Sequence, residues 1–184
     1  MDLREIPNDL PIPKDDGGCK HLKNFRIPPI SLRNQDGNLL KLNRLDTFRL
    51  VLYCFPMTGR PDKPLPNKWK SIPGASGCTS QNCSFRDSYD ELIIMNAIPI
   101  GVSTQSVDDI KEMVDRLKIP FDVVSDYFLE FGYKLSLPTF SVNNKTFLKR
   151  VTLIIEKSIV IKVFYPIFPP NKHIIEVKEW LKKN

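Results

Sequence analysis

Residues 49–55 read Arg-Leu-Val-Leu-Tyr-Cys-Phe, a run with no polar side chain after the first and with β-branched and aromatic members. A strand with one wet face alternates apolar with polar residues. An unbroken apolar run instead indicates a central strand covered on both faces. This chain therefore needs a layer of structure on each side of a sheet, and its remaining segments supply the candidates.

Upstream, Arg26–Leu32 and Asn38–Leu42 read as strands around Gln35-Asp36-Gly37-Asn38, where the Asp-Gly pair is a hairpin signal. Downstream, strands and helices alternate. Cys78 to about Met95 has apolar residues at Phe85, Tyr89, Leu92, Ile93 and Ile94, consistent with an amphipathic helix capped by Ser76. Ile98–Ser103 is a strand. Ser106–Leu117 is a helix whose Ser106 and Asp109 form a capping-box-like start. Phe121–Asp126 is a short strand and Asp126–Leu135 a short helix ending near Gly132, with 139–148 extended. Arg150–Glu156 and Ile159–Tyr165 form a hairpin turned at Lys157-Ser158. A closing helix over 171–183 points Ile174, Ile175, Val177, Trp180 and Leu181 inward. Strands alternating with helices, then a hairpin and a closing helix, define a layered α/β sandwich. Residues 1–24 read as an extended, proline-punctuated arm and 25–184 as one domain.

The 184 residues suffice for one substantial core. Hydrophobic residues make up 41% and charged residues 26%, the range of an ordinary globular protein. No run of about eighteen apolar residues occurs, and the N-terminal text lacks the apolar core of a secretory signal. A cytoplasmic setting is the expectation, in which thiols stay reduced unless a disulfide is transient and catalytic. The net charge of +6, from 27 basic and 21 acidic residues, is spread along the chain. That distribution favours a solvated surface over a nucleic-acid footprint.

Chemistry concentrates in Gly77-Cys78-Thr79-Ser80-Gln81-Asn82-Cys83, where a proline- and glycine-rich segment (57–77) gives way to the helix. A helix start favours a thiolate, through unpaired amides and the positive end of the dipole. The thiolate is the reactive form of cysteine. A second cysteine nearby gives an oxidised first one an exit to a disulfide. In a regular helix, residues five apart are rotated by about 140° and separated by about 7.5 Å of rise, beyond disulfide reach. A Cys78–Cys83 bond therefore requires the first turn to unwind. Alternatives are two buried packing cysteines, or a zinc site adding Cys19 and His21, whose spacing fits zinc poorly. Cys54, inside the apolar run, reads as packing. His21 and His173 lie in apparently exposed text and take no catalytic role. Arg60, Lys63, Lys68 and Lys70 of the 57–77 segment could orient a partner, though a solvated insertion explains them as well.

The Gly-Cys-Thr step, the second cysteine five residues on and the following Phe-Arg-Asp resemble the active-site segment of peroxiredoxins of the bacterioferritin-comigratory, or PrxQ, type. Asp36–Leu42, Leu50–Pro56, Ile100–Ser106, Leu137–Phe140, Leu148–Ile155 and Ile159–Pro166 extend the likeness over about residues 25–183. The resemblance implies a thioredoxin-like three-layer sandwich with a mixed central sheet flanked by helices. It implies reduction of hydrogen peroxide or organic hydroperoxides without metal or organic cofactor, and regeneration by a thioredoxin-type protein. Cys78 matches the peroxidatic cysteine, Cys83 the resolving one, and Arg150 the arginine that stabilises the thiolate and polarises the peroxide. An intramolecular pair suits a monomer or weak dimer. One departure stands out. The family's proline and threonine, seven and three residues before the cysteine, are here Ser71 and Ala75. Thr58, at the start of the 57–77 insertion, is the expected substrate-binding hydroxyl, with Ser76 and Thr79 as alternatives. A dithiol–disulfide oxidoreductase and a non-catalytic thioredoxin-like binding module are the competing functions.

Overall fold

The computed structural model describes residues 10–43 and 48–184, so the first nine residues of the expected arm lie outside it. The apolar run becomes β3 (Arg49–Cys54), third from one edge of a seven-stranded sheet. The sheet order is β2-β1-β5-β4-β3-β8-β9, formed by β1 (Ser31–Asn34), β2 (Leu39–Lys41), β4 (Ala97–Ser103), β5 (Val123–Ser125), β8 (Val151–Glu156) and β9 (Ile159–Phe164). β3, β4 and β5 are mutually parallel, and the other pairings are antiparallel. The sheet is mixed because the two hairpins add their strands antiparallel to a parallel centre.

Both faces of β3 are covered, as an unalternated strand requires. Val51 and Tyr53 face a cluster built from four helices: α1 (Cys78–Asp87), α2 (Tyr89–Ile94), α3 (Val107–Leu117) and α5 (His173–Lys183). Leu50, Leu52 and Cys54 face a second cluster, closed by α4 (Glu130–Lys134) and by a 3₁₀ turn at Lys20–Leu22. The N-terminal segment is thus part of the core. Cys19 and Leu22 are buried, and His21 Nε2 bonds the Leu135 carbonyl. The zinc alternative falls on this geometry, because Cys19 packs in the opposite cluster from Cys78 and Cys83.

Local chemistry accounts for the ends of elements. Gly37 takes φ +80° and its N–H bonds the Asn34 carbonyl, so Gln35 and Asp36 form the turn centre and glycine the left-handed residue after it. Ser106 caps α3 by accepting from the Asp109 amide. Elsewhere packing overrides the local pattern. The helix expected from Cys78 to Met95 breaks at Ser88 into α1 and α2, leaving Ile94 85% exposed. Gly132 lies inside α4, where its N–H bonds the Asp126 carboxylate. Ile175 of α5 faces outward.

The 57–77 segment is not a loose insertion. Trp69 is 3% exposed and packs edge-on against Phe147 and near Phe140. Those two rings come from a separate hairpin, β6 (Thr139–Val142) and β7 (Lys145–Leu148). Arg60 and Lys63 are held by Asp109, and Arg116 Nη2 bonds the Gly59 carbonyl. These three cations thus pin the segment to α3.

Candidate active site

Two parts of the chain converge on one sulfur. The first is the start of α1. Gly77 occupies the N-cap with φ +93°, a left-handed conformation that costs glycine nothing and other residues strain. Ser76, the expected cap, makes no such bond, and its buried hydroxyl has no partner. The first amide to find a helical carbonyl is that of Gln81, which bonds Gly77 O. Cys78 therefore sits in the first turn, at the positive end of the helix.

The second part is the N-terminal end of β8. The register Cys54↔Val151 sets Arg150 beside Phe55, where β3 leaves the sheet. Arg150 is only 3% exposed. Its Nη2 donates to Cys78 Sγ at 3.1 Å and to the Ser76 carbonyl at 2.7 Å, with Ala75 O at 3.3 Å. Its Nη1 donates to Gln81 Oε1. A cation fixed by three other acceptors is thereby aimed at the sulfur, and a charge-assisted bond of this kind stabilises an anionic acceptor. The thiol's other contact is weaker, Cys78 Sγ to Ala75 O at 3.5 Å.

Beneath Cys78 runs a buried relay. Tyr53 OH donates to Asn82 Oδ1 at 2.8 Å, and Asn82 Nδ2 donates to the Cys78 carbonyl at 2.9 Å. Tyr53 also stacks on Phe85 at 4.0 Å, and burial keeps its phenol protonated well above the usual range. It reaches this position because Gly101 on β4 has no side chain. A Cβ there would meet Tyr53 Oη at 3.0 Å. The sheet thus anchors the turn that bears the thiol.

Cys83 lies one and a half turns further along α1, 7% exposed and in the same apolar cluster as Cys78. None of the four cysteines is in a disulfide in this structure. Burial pushes the Cys54 and Cys19 thiols upward, Cys19 to about 12, so both remain protonated packing groups. Thr58 makes no hydrogen bond with Cys78 or Arg150. Its hydroxyl and amide both donate to Gln105 Oε1, at 3.1 and 2.9 Å.

His173 is a residue whose surroundings the sequence misjudged. It is buried, not exposed, with Nε2 2.9 Å from Thr152 Oγ1 and its ring packed between Phe85 and Phe164. Burial, aided by the charge of Arg150, depresses its protonation to about 3. Its contact with Glu176 is then a hydrogen bond and not an ion pair.

Arg150 also lines a mostly apolar cleft of about 400 Å³, with Ile12 and Pro13, Ile72 and Pro73, and Tyr165 among its walls. A larger cavity of about 460 Å³ is lined by Met57, Thr58 and Gln105 and does not include Cys78 or Arg150. The smaller cleft touches Arg150, has Lys14 and Lys149 in its wall, and does not include Cys78 either.

A mixed sheet with a thiol at a helix start and an arginine on its sulfur defines a thiol-dependent redox enzyme on a thioredoxin-like fold. The comparisons with known proteins specify it. The family model described as AhpC/TSA matches residues 71–164, half of the chain, and the chain belongs to that family. Chloroplastic peroxiredoxin Q of Sedum lineare is 28% identical over 94% of this chain and 84% of its own length. That of Oryza sativa subsp. japonica is 29% identical over 87% of this chain, which spans 66% of it. Among solved structures, peroxidoxin BcpB of Mycobacterium tuberculosis superposes with a TM-score of 0.72 at 20% identity, covering 88% of this chain and 96% of that one. Xanthomonas campestris peroxiredoxin Q gives 0.67 at 18% identity, over 96% and 99%. The protein is a peroxiredoxin, a thiol-dependent peroxidase. Among the described residues no helix is long and apolar enough to cross a membrane.

Proposed function

We propose that Cys78 is the peroxidatic thiol and Cys83 its resolving partner, within a domain of residues 25–184 whose core also takes in Cys19 and Leu22 of the expected arm and whose 57–77 segment is an insertion. The Cys78 thiolate attacks one peroxide oxygen, the O–O bond breaks, and the leaving oxygen departs as an alkoxide or hydroxide that takes up a proton. Cys78 is left as a sulfenic acid. The Cys83 sulfur then displaces its hydroxyl, which leaves as water, and a disulfide forms. A thioredoxin-type dithiol reduces that disulfide by exchange and regenerates both thiols.

The observation that supports this most directly is the 3.1 Å contact of Arg150 Nη2 with Cys78 Sγ at the N-terminus of α1. The same guanidinium can stabilise negative charge on the departing oxygen. Ser76 is better placed than Thr58 to meet the peroxide with a hydroxyl, since it adjoins the Arg150 contact and its Oγ is uncommitted. Action as a cytoplasmic monomer or weak dimer completes the reading. The test is peroxide consumption with a thioredoxin system. Cys78→Ser is expected to abolish it, and Cys83→Ser to stop after one equivalent with a sulfenic acid on Cys78. Full activity in Cys78→Ser sinks the assignment.

A further inference from the structure

The cleft of about 400 Å³ that touches Arg150 takes no part in the chemistry above. Its volume falls in the range of small-molecule sites, about 300–1,000 Å³. It is built from the N-terminal arm, the segment before α1, β6, the approach to β8 and the chain after β9. Ile12, Ile72 and Ile167 give it apolar walls. Three cations line it, Lys14, Lys149 and Arg150, and no carboxylate is among its described lining residues.

The two acids of the arm are committed elsewhere. Asp15 accepts the Gly17 amide. Asp16 accepts Lys149 Nζ and the Tyr165 hydroxyl, both at 2.7 Å, and the Gly18 amide. Lys14 makes no ion pair among the described residues. Arg150 is 3% exposed, and its Nε is buried without a hydrogen-bond partner. Its other nitrogens serve two carbonyls, an amide oxygen and the Cys78 sulfur. A guanidinium and two ammonium groups beside apolar walls match an oxyanion that carries an alkyl chain. The guanidinium charge is delocalised, so an oxyanion on this side of Arg150 shares the cation that faces the sulfur.

We propose that this cleft binds a free alkyl carboxylate, and that the bound carboxylate draws on the charge of Arg150 and so restrains the Cys78 thiol. The restraint rests on Cys78 being the peroxide-reactive thiol, whereas the binding stands on the cleft alone, and the two are measured separately.

Decanoate is the probe, with decanol as its uncharged counterpart and acetate as its headgroup without the chain. Saturating decanoate is expected to raise the melting temperature by about 3 °C or more. It is also expected to slow Cys78 alkylation by iodoacetamide, and oxidation by hydrogen peroxide, about threefold or more at neutral pH. Decanol and acetate at the same concentration are expected to slow neither reaction. Lys14→Glu and Ile12→Ser alter exposed wall residues, and both are expected to keep the basal peroxide rate and to weaken the decanoate effects. Equal slowing by decanol or by acetate, a lowered melting temperature, or full decanoate effects in Lys14→Glu overturns the inference. Sedimentation of the protein with phosphatidylglycerol vesicles, without decanoate binding, would assign the cleft to a lipid surface and overturn it too. Binding of decanoate with no change in Cys78 alkylation overturns the restraint. A protein whose Cys78 is not oxidised by peroxide in the absence of decanoate would instead overturn the assignment of the thiol.

Discussion

Arg150 reaches Cys78 across 72 positions of sequence, Nη2 lying 3.1 Å from the sulfur. The contact exists because two local devices meet. A glycine-capped helix start holds the thiol, and the pairing of β8 with β3 brings the arginine to the point where β3 ends. Neither device alone places a cation on a sulfur.

Substitution of the arginine tests its geometry as well as its charge. Lysine retains the charge but cannot bond Gln81, Ser76 and the sulfur from one planar group. Arg150→Lys is expected to lower the second-order rate with peroxide by about 100-fold. It is also expected to cost about 1–3 kcal/mol of stability, because the Ala75 and Ser76 carbonyls lose a buried donor. Stopped-flow peroxide reduction and urea unfolding measure the two effects. A rate within twofold of wild type would remove the guanidinium from the chemistry.

Gly77 at φ +93° is the hinge on which the thiol's position depends. Gly77→Ala is expected to lower stability by about 1–3 kcal/mol through left-handed strain. A displaced first turn should also slow Cys78 oxidation. Chemical denaturation and intact-mass measurement of sulfenic acid formation report these separately.

His173 makes stability depend on pH in a defined window. Its folded-state value of about 3 lies below the ordinary 6.5. The unfolded chain therefore takes up a proton as pH falls through 6.5, whereas the folded chain does so only near 3. Stability is fully present above about 6.5 and declines by about 1.4 kcal/mol per pH unit from this group as pH falls toward 3. In His173→Asn that part of the slope is expected to vanish. Urea unfolding at pH 7, 6, 5 and 4 for both proteins gives the difference, and parallel slopes would contradict it.

What could be read from the sequence was whatever depends on neighbours in the chain. The unalternated run at 49–55 gave the buried strand, and Ser106 with Asp109 gave the start of α3. The placement of Cys78 at a helix N-terminus followed from the segment before it and the amphipathic text after it. Long-range packing was not readable in this way. His173 looks like a terminal surface residue until α5 folds onto α1 and β8 supplies Thr152. Thr58 carries the right hydroxyl, but Gln105 claims it from 47 residues away. Ile94 looks apolar enough to be buried, yet the break at Ser88 turns it outward. The hydrogen bond from Arg150 to Gln81 joins residues 69 apart, and no spacing rule encodes it. The nearness of Arg150 to Cys78 was suggested by family resemblance and by nothing in its local text.

The burial of Trp69 against Phe140 and Phe147 fastens the segment that leads into α1. That stretch of chain has its own small aromatic core and is tied to α3 through Arg60. Adjustment during turnover then falls to the helix carrying both thiols. On the chemistry proposed above, joining Cys83 to Cys78 unwinds the turn whose Gln81 and Cys78 hold Arg150 and whose Asn82 holds Tyr53, so forming the disulfide dismantles the anion clamp and reducing it rebuilds that clamp.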